Sequence, residues 1–560
     1  MAEATQDQIA SAEDTGRMTH NQIMLILSGL LLGMFLAALD QTIVSAAMRT
    51  IADKLNGQTN QAWATTAYLV TSTVSTPLYG KLSDMYGRKK FYLFAISIFL
   101  VGSVLSGTAH SMIELAGFRA VQGLGAGGLM ALAFAIIGDI VPPRDRAKYQ
   151  GYFMAVFGLS SVAGPVLGGL LAGQSTLLGF DGWRWVFYVN LPIGIVALTV
   201  VSRFLNIPHV RREHRVDYLG AALLVLGVTS LLLVAEQGRS WGWGSGKAVS
   251  LYVIGAVLLA AFVWVERQVG DEAILPLKMF NSPVFSVASL LNFIIGMGMF
   301  GGIICLPLYM QIVKGFSPTR SGLSLLPLMF GLMTVAMGSG IFTSKTGRYK
   351  IFPIVGTGVL IVALLGLSRI SYTTSYLHLV PLMFLLGAGL GCCMQTLVLA
   401  TQNAVPPSQM GVATSSATFF RSMGGTFGTA VFLTIFFSGA THKVGSNIQA
   451  AAQTPQFQQA LRDPANSVIA RALQAMKSGA TGQLNDTSFL QHGALVLREP
   501  FLAGFAGAMD RVFLVAAFVV LPAFVLSFFL KEVKLRMESG LELQAAERRR
   551  LSEAGQSATL

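Results

Sequence analysis

Apolar positions in this chain come in unbroken blocks of about twenty residues, with short polar stretches between them. A hydrocarbon core near 30 Å thick needs about 20 apolar residues per helix, so such blocks read as membrane-spanning helices. Fourteen are predicted, at 22–45, 61–81, 91–109, 113–138, 149–171, 185–205, 217–236, 249–266, 284–310, 321–343, 351–370, 378–400, 410–437 and 509–530. The pattern predicts an all-α polytopic membrane protein. Residues 1–20 are polar, and the first block carries Asp40 and lacks a small-residue cleavage site. It is therefore expected to stay as helix 1 and not to be removed as a signal peptide.

Composition agrees with that reading. Of 560 residues, 53% are hydrophobic and 12% charged, against about 25% charged in soluble domains. With the N-terminus inside, the inside loops hold sixteen Lys/Arg, among them Lys81, Arg88, Lys89, Lys90, Arg144, Arg146, Lys345, Arg348 and Lys350; the short outside loops hold seven. Short cytoplasmic loops carry such an excess, and the even helix count with the basic tail (Lys531, Lys534, Arg536, Arg548) places the C-terminus inside too. The net charge of +13 then reflects topology and attraction to anionic lipid headgroups. No nucleic-acid partner is expected. Cys305, Cys392 and Cys393 fall inside predicted helices and the histidines are scattered, so neither a disulfide framework nor a metal site is predicted.

Two loops carry related sequences. Gly80 to Lys90 follows helix 2 and Gly340 to Lys350 follows helix 10, with Gly80/Gly87 matched by Gly340/Gly347. Val141-Pro142-Pro143 follows helix 4 and Val405-Pro406-Pro407 follows helix 12, each after a glycine-rich helix (Gly123, Gly125, Gly127; Gly387, Gly389, Gly391). The offset is 260 to 264 residues in both cases. Helices 9–14 thus read as a repeat of helices 1–6 around an inserted pair, a plan common in transporters. The predicted divisions are a tail at 1–21, a six-helix bundle at 22–205, linkers with helices 7 and 8 at 206–282, a second six-helix bundle at 283–530, and a tail at 531–560. Within the second bundle, residues 438–508 read as a long outside loop. Its middle is expected to be helical, with Phe457, Leu461, Ile469, Leu473 and Met476 sharing a face and Pro464 interrupting.

Charges inside apolar blocks are costly and mark function. Asp40 lies mid-span beside Leu36, Ile43, Val44 and Ala47. Such surroundings disfavour the charged carboxylate, which makes Asp40 a candidate proton site. Arg119 in helix 4 and Arg421 in helix 13 need a polar cavity or a partner. In the loop after helix 2, Asp84 and Arg88 can form charge-assisted bonds in one conformation only, with Asp139 as a candidate partner of Arg88; the second copy has Ser344 where Asp84 aligns, so any latch is asymmetric. Gly158, Gly164, Gly168 and Gly169 permit close helix approach, and Pro165 bends helix 5. Glu236 closes helix 7 and is expected to be interfacial. Candidates for a substrate cavity are Trp63, Asn292, Met299, Phe300, Tyr309, Met394, Gln395 and Arg421, since aromatic and methionine surfaces suit adaptable apolar binding.

Taken in order, Leu39-Asp40-Gln-Thr42, Gly80 to Lys90, Arg119-Ala-Val-Gln122-Gly123, Gly158-x5-Gly164-Pro165-x2-Gly168-Gly169 and Trp183 to Pro192 resemble the major facilitator superfamily, in its fourteen-helix drug:proton antiporter branch. The resemblance implies that Arg119 belongs to a proton relay with Asp40, that the 80–90 loop latches the inner gate, and that the helix 5 motif favours export over uptake. It further implies alternating access in a bacterial plasma membrane, with protons and small amphipathic substrates as partners. No cofactor is called for, a monomer is expected, and no enzyme activity is. A lipid exporter of the same fold, a nutrient symporter and a non-transporting sensor remain alternatives. Walker, HExxH and GxSxG motifs are absent, which argues against an ATP-driven pump or an intramembrane hydrolase.

Overall fold

The computed structural model describes residues 18–57, 60–206, 217–477, 490, 494–543 and 545–546. Its long helices are α1 (His20–Lys54), α2 (Gln61–Tyr86), α3 (Arg88–Thr108), α4 (Met112–Ile140), α5 (Pro143–Ala172), α6 (Asn190–Phe204), α7 (Tyr218–Trp241), α8 (Gly246–Val269), α9 (Pro283–Ile312), α10 (Leu326–Thr346), α11 (Ile351–Leu367), α12 (Tyr376–Asn403), α13 (Met410–Ala451) and α14 (Leu495–Phe529). Among the described residues twelve helical segments are long and apolar enough to cross a membrane. The other two predicted spans form α2, which is rich in Ser and Thr, and α11, which has 17 residues. Phe94, Val253, Trp264, Phe330, Val362 and Phe518 are exposed around the perimeter. Such an apolar outer surface on helices that satisfy their own backbone bonds suits lipid.

Local signals set the helix ends. Thr19 and Gln22 cap α1 reciprocally, Ser111 accepts from Glu114 N at the start of α4, and Asp217 accepts from Gly220 N at the start of α7. Each satisfies a backbone N–H that a helix start leaves unpaired. Gly87, between α2 and α3, takes φ 103°, a conformation open to glycine. At the turn of the small hairpin Thr176–Leu177/Phe180–Asp181, Leu178 and Gly179 also have positive φ.

Packing reproduces the repeat. In α4, Gly123 and Gly127 lie against the backbone of α2 at Tyr68 and Ser72, while Gly125 lies against α3 at Ala95 and Phe99. In α12, Gly387 and Gly391 lie against α10 at Leu328 and Leu332, while Gly389 meets α11 at Gly356 and Leu360. The inserted helices α7 and α8 pack on each other, and α7 also packs on α2 and α13. A shared core of Val70, Val74, Leu224, Val228, Leu232, Phe262 and Phe419 fills that junction.

The boundaries of the last two spans differ from expectation. Helix α13 runs 42 residues and α14 runs 35, so both ends of the expected 438–508 loop are helical. Hydropathy marks only the length that suits hydrocarbon, whereas Thr441, His442, Lys443, Ser446 and Asn447 continue α13 as polar turns. Between them lie helices Pro455–Arg462 and Ser467–Lys477, broken at Pro464–Asn466, with Phe457, Ile469 and Leu473 buried; the side chain of Met476 lies outside the described residues. Helix α7 likewise continues past Glu236 to Trp241. The expected linker around Pro208 to Arg215 lies outside the described residues.

Loops after α2, α4, α10 and α12 gather at one end of the bundle, joined by the segment after α14; we refer to this as the basic end. Trp63 meets Trp241 with ring centroids 6.2 Å apart, and Gln237 reaches Thr66, at the opposite end.

Candidate functional site

Asp40 is fully buried in α1, and three donors converge on it. Arg119 of α4 forms an ion pair with Oδ2. Gln122 Nε2, one turn further along α4, donates to Oδ1 at 2.8 Å, and Asn190 Nδ2, the first residue of α6, donates to the same oxygen at 2.9 Å. Both amides are also fully buried. The expectation of a carboxylate among apolar neighbours is corrected: the apolar side chains of α1 are there, but a guanidinium and two amides solvate the charge. The resemblance already linked Arg119 to Asp40, and the i, i+3 spacing of Arg119 and Gln122 puts both on one face of α4; the direct contacts are visible only in the structure. Asn190 stood in a recognised motif with no chemistry attached, 150 positions from Asp40.

The cluster has a second layer. Arg119 also donates to Gln122 Oε1 at 2.7 Å and lies over the Tyr68 ring, 4.1 Å from its centroid. A cation over an aromatic face is favourable, more so when desolvated. Asn190 Nδ2 further donates to Ser103 Oγ at 3.0 Å, and Ser103 donates to Phe187 O. Two polar atoms in the cluster, Arg119 Nε and Asn190 Oδ1, are buried with no hydrogen-bond partner among the described residues. Donors from α4 and α6 thus converge on the carboxylate of α1, with α3 reaching the cluster through Ser103 and α2 through the Tyr68 ring.

Helix α5 holds α1 in place. Thr42 Oγ1 donates to Ser160 O at 2.9 Å. A Cβ at Gly164 would collide with Thr42, and one at Gly168 would meet Ile43 O at 2.7 Å. The remaining motif positions face elsewhere. Gly158 faces Met333 of α10, Gly322 lies against Pro165, and a Cβ at Gly169 would find Thr319 Oγ1 at 3.6 Å. One motif therefore serves two interfaces: the helix bearing Asp40 and the segment around α10.

At the basic end Arg88, the first residue of α3, pairs with Asp84 and with Asp139 at 2.7 Å, and donates to Ser83 Oγ at 2.6 Å. Asp84 in turn accepts from the backbone N–H of Gly411 and Val412 at 3.2 and 2.9 Å, where α13 begins. A carboxylate at a helix start meets unpaired N–H groups and the positive end of the helix dipole. Gly80 lies against Ser415 and Gly411 O. In the other copy Ser344 Oγ donates to Asp145 Oδ1 at 2.9 Å, and Arg144 donates to Ser344 O and Lys345 O. The acid missing from that loop stands on α5.

The cavity candidates divide. Asn292, Tyr309, Met394 and Gln395 are buried; Tyr309 donates to Ser371 O and Asn292 to Ala288 O on its own helix. Trp63 and Met299 are half-buried, and the Phe300 side chain lies outside the described residues. Arg421 is 8% exposed and meets no hydrogen-bond or ion-pair partner among the described residues. Asp510 of α14 was not among the residues picked out from the sequence; its Oδ1 is buried with no hydrogen-bond partner among the described residues. It lies just inside the edge of a predicted span, where a charge looks like a flank. Among the described residues no group of three or more His, Cys, Asp or Glu could hold a metal.

The family model described as Major Facilitator Superfamily matches residues 30–429. Multidrug transporter protein MdtP of Bacillus subtilis is 33% identical over 532 residues, covering 94% of this chain and 96% of that protein. Multidrug resistance protein 3 of the same organism is 35% identical over 483 residues, covering 84% and 93%. A solved structure of the proton:xylose symporter XylE superposes with TM-score 0.59 at 14% identity, covering 94% of this chain and all of that one; at this identity the likeness concerns the fold.

Proposed function

The chain belongs to the major facilitator superfamily, a transporter family, and on that premise we propose that it is a proton-coupled exporter of small amphipathic compounds. The observation that carries the reading is the buried Asp40 carboxylate with its ring of donors from Arg119, Gln122 and Asn190. Relatives named multidrug transporter and multidrug resistance protein, matched over 94% and 84% of the chain, support export of drug-like cargo.

In this reading all fourteen helices span a bacterial plasma membrane with both chain ends on the cytoplasmic side, so the basic end is the inner gate. Helices α1–α6 and α9–α14 are the two bundles that rock about a midplane site, the chain acting as a monomer without a cofactor. A proton reaching Asp40 cancels the partner charge of Arg119. The guanidinium then keeps Gln122 Oε1 and the Tyr68 ring but loses its ion pair, which loosens α1 from α4 and changes the field in the cavity. Proton and substrate compete through that change. Each unit charge carried across 100 mV supplies about 2.3 kcal/mol, enough for roughly a fiftyfold gradient of a neutral substrate. Arg421, buried and without a hydrogen-bond or ion-pair partner among the described residues, favours cargo that brings a hydrogen-bond acceptor and disfavours dications.

Proteoliposomes test this. Dye-like substrates should collapse an imposed pH gradient in wild type; no substrate-dependent proton flux would remove the reading. A lipid exporter of the same fold, with the helices at 455–477 as a lipid-handling cap, would instead move labelled lipid with little dye transport.

A further inference from the structure

Beyond Phe529 the chain leaves the helical bundle, runs without regular structure to Ser539, and turns helical again at Gly540. It does not hang free. Leu530, Leu535, Ser539 and Leu541 are all buried, although nothing in the family match, which ends at residue 429, speaks for this stretch.

Its contacts fall on both bundles. On the second, Glu532 Oε1 accepts from Tyr349 N at 2.9 Å and Lys350 N at 3.4 Å, where α11 begins; Val533 N donates to Tyr349 Oη at 3.0 Å. Asn403, the last residue of α12, donates to Val533 O and Lys534 O, and Arg536 donates back to Asn403 O and Val405 O. On the first, Arg144 Nη1 reaches Met537 Sδ at 3.4 Å, and Gly540 lies so close to Asp139 that an added Cβ would meet its carbonyl oxygen at 3.3 Å.

The repeat gives these contacts a meaning. Asn403 stands 264 residues after Asp139, the offset that also relates Val405 to Val141. In the first copy, Asp139 is gripped by Arg88. In the second copy the position holds an amide, and the segment after α14 occupies it. We propose that residues 530–541 are a strap that completes the gate at the basic end: anchored to α11 and α12 by Glu532 and Arg536, it must release from α4 and α5 before that end can open. Glu532 and Arg536 are positioning residues, acting through the gate and not on cargo. The proposal rests on the alternating-access reading above.

Spin labels on Lys90→Cys and Lys345→Cys, both exposed positions on the two gate loops, report the opening; the native cysteines are buried. In the full-length protein in proteoliposomes, Arg536→Ala with Glu532→Gln should increase the long-distance population several-fold and accelerate gradient-independent exchange, and Arg536→Lys with native Glu532 should fall between. A reducible thiol cross-link between Arg144→Cys and Met537→Cys should arrest transport, with recovery on reduction. A parallel cross-link between Asp84→Cys and Val412→Cys tests the rocking motion itself. If only the second arrests transport, the strap is refuted; if neither does, alternating access at this end fails. An unchanged distance distribution in the double variant also overturns the proposal, and the cross-link arms keep it testable should that variant fold poorly.

Discussion

At the scale of single residues, the chemistry depends on a charge that is buried and yet solvated. Removing one partner from a buried ion pair leaves an uncompensated charge, at a cost of about 3–5 kcal/mol. Arg119→Met should therefore lower stability by that order and abolish transport, measured by thermal unfolding in detergent and by dye efflux. Asn190→Leu removes one amide from Asp40 and should cost about 1–3 kcal/mol while the Arg119 pair persists. Arg421→Ala should weaken binding of acceptor-bearing substrates about tenfold, or about 1.4 kcal/mol, and leave proton binding by Asp40 intact; equal affinity in an equilibrium binding assay would place Arg421 in packing. Asp40 and Arg119 were legible in sequence because a charge in an apolar block stands out. Their mutual contact and the role of Asn190 were not, since those partners lie 79 and 150 positions from Asp40 and amides are common enough to carry no signal alone.

At the scale of helices, the glycines of α5 do unequal work. Gly164 faces Thr42 so closely that no Cβ fits, whereas Gly169 leaves ordinary contact distance to Thr319. Gly164→Ala should displace α1 and with it Asp40, costing export and stability, while Gly169→Ala should export at a near-normal rate. Matched expression and dye-efflux assays on the two variants decide this, and equal phenotypes would contradict it. The motif was visible in sequence, but not which of its members touches which helix. Helix ends were the least legible part. The Lys443 region continues α13 because its polar residues are helix-compatible, and Lys443 Nζ finds Gly507 O on α14, a tertiary contact that hydropathy does not contain.

At the scale of the whole molecule, the repeat offset was the most informative sequence feature. It paired the glycine-rich helices α4 and α12 and showed that the loops after α2 and α10 differ in their acids; that the paired glycines meet equivalent neighbours came from the packing. It did not anticipate that Asp145 and the segment after α14 complete the second copy. At the basic end Arg88 meets two carboxylates at once, and the gate proposed there depends on it. Arg88→Lys, which keeps the charge but loses the forked geometry, should open that end and slow export several-fold, as read by inside thiol labelling of Ser415→Cys. Proton-coupled export requires that Asp40 couple the proton gradient to cargo. The most direct measurement is substrate-driven proton flux in proteoliposomes, with Asp40→Asn beside wild type. Asp40→Asn should lose proton flux and uphill transport while retaining downhill substrate exchange; undiminished proton-driven export by Asp40→Asn would contradict the coupling role.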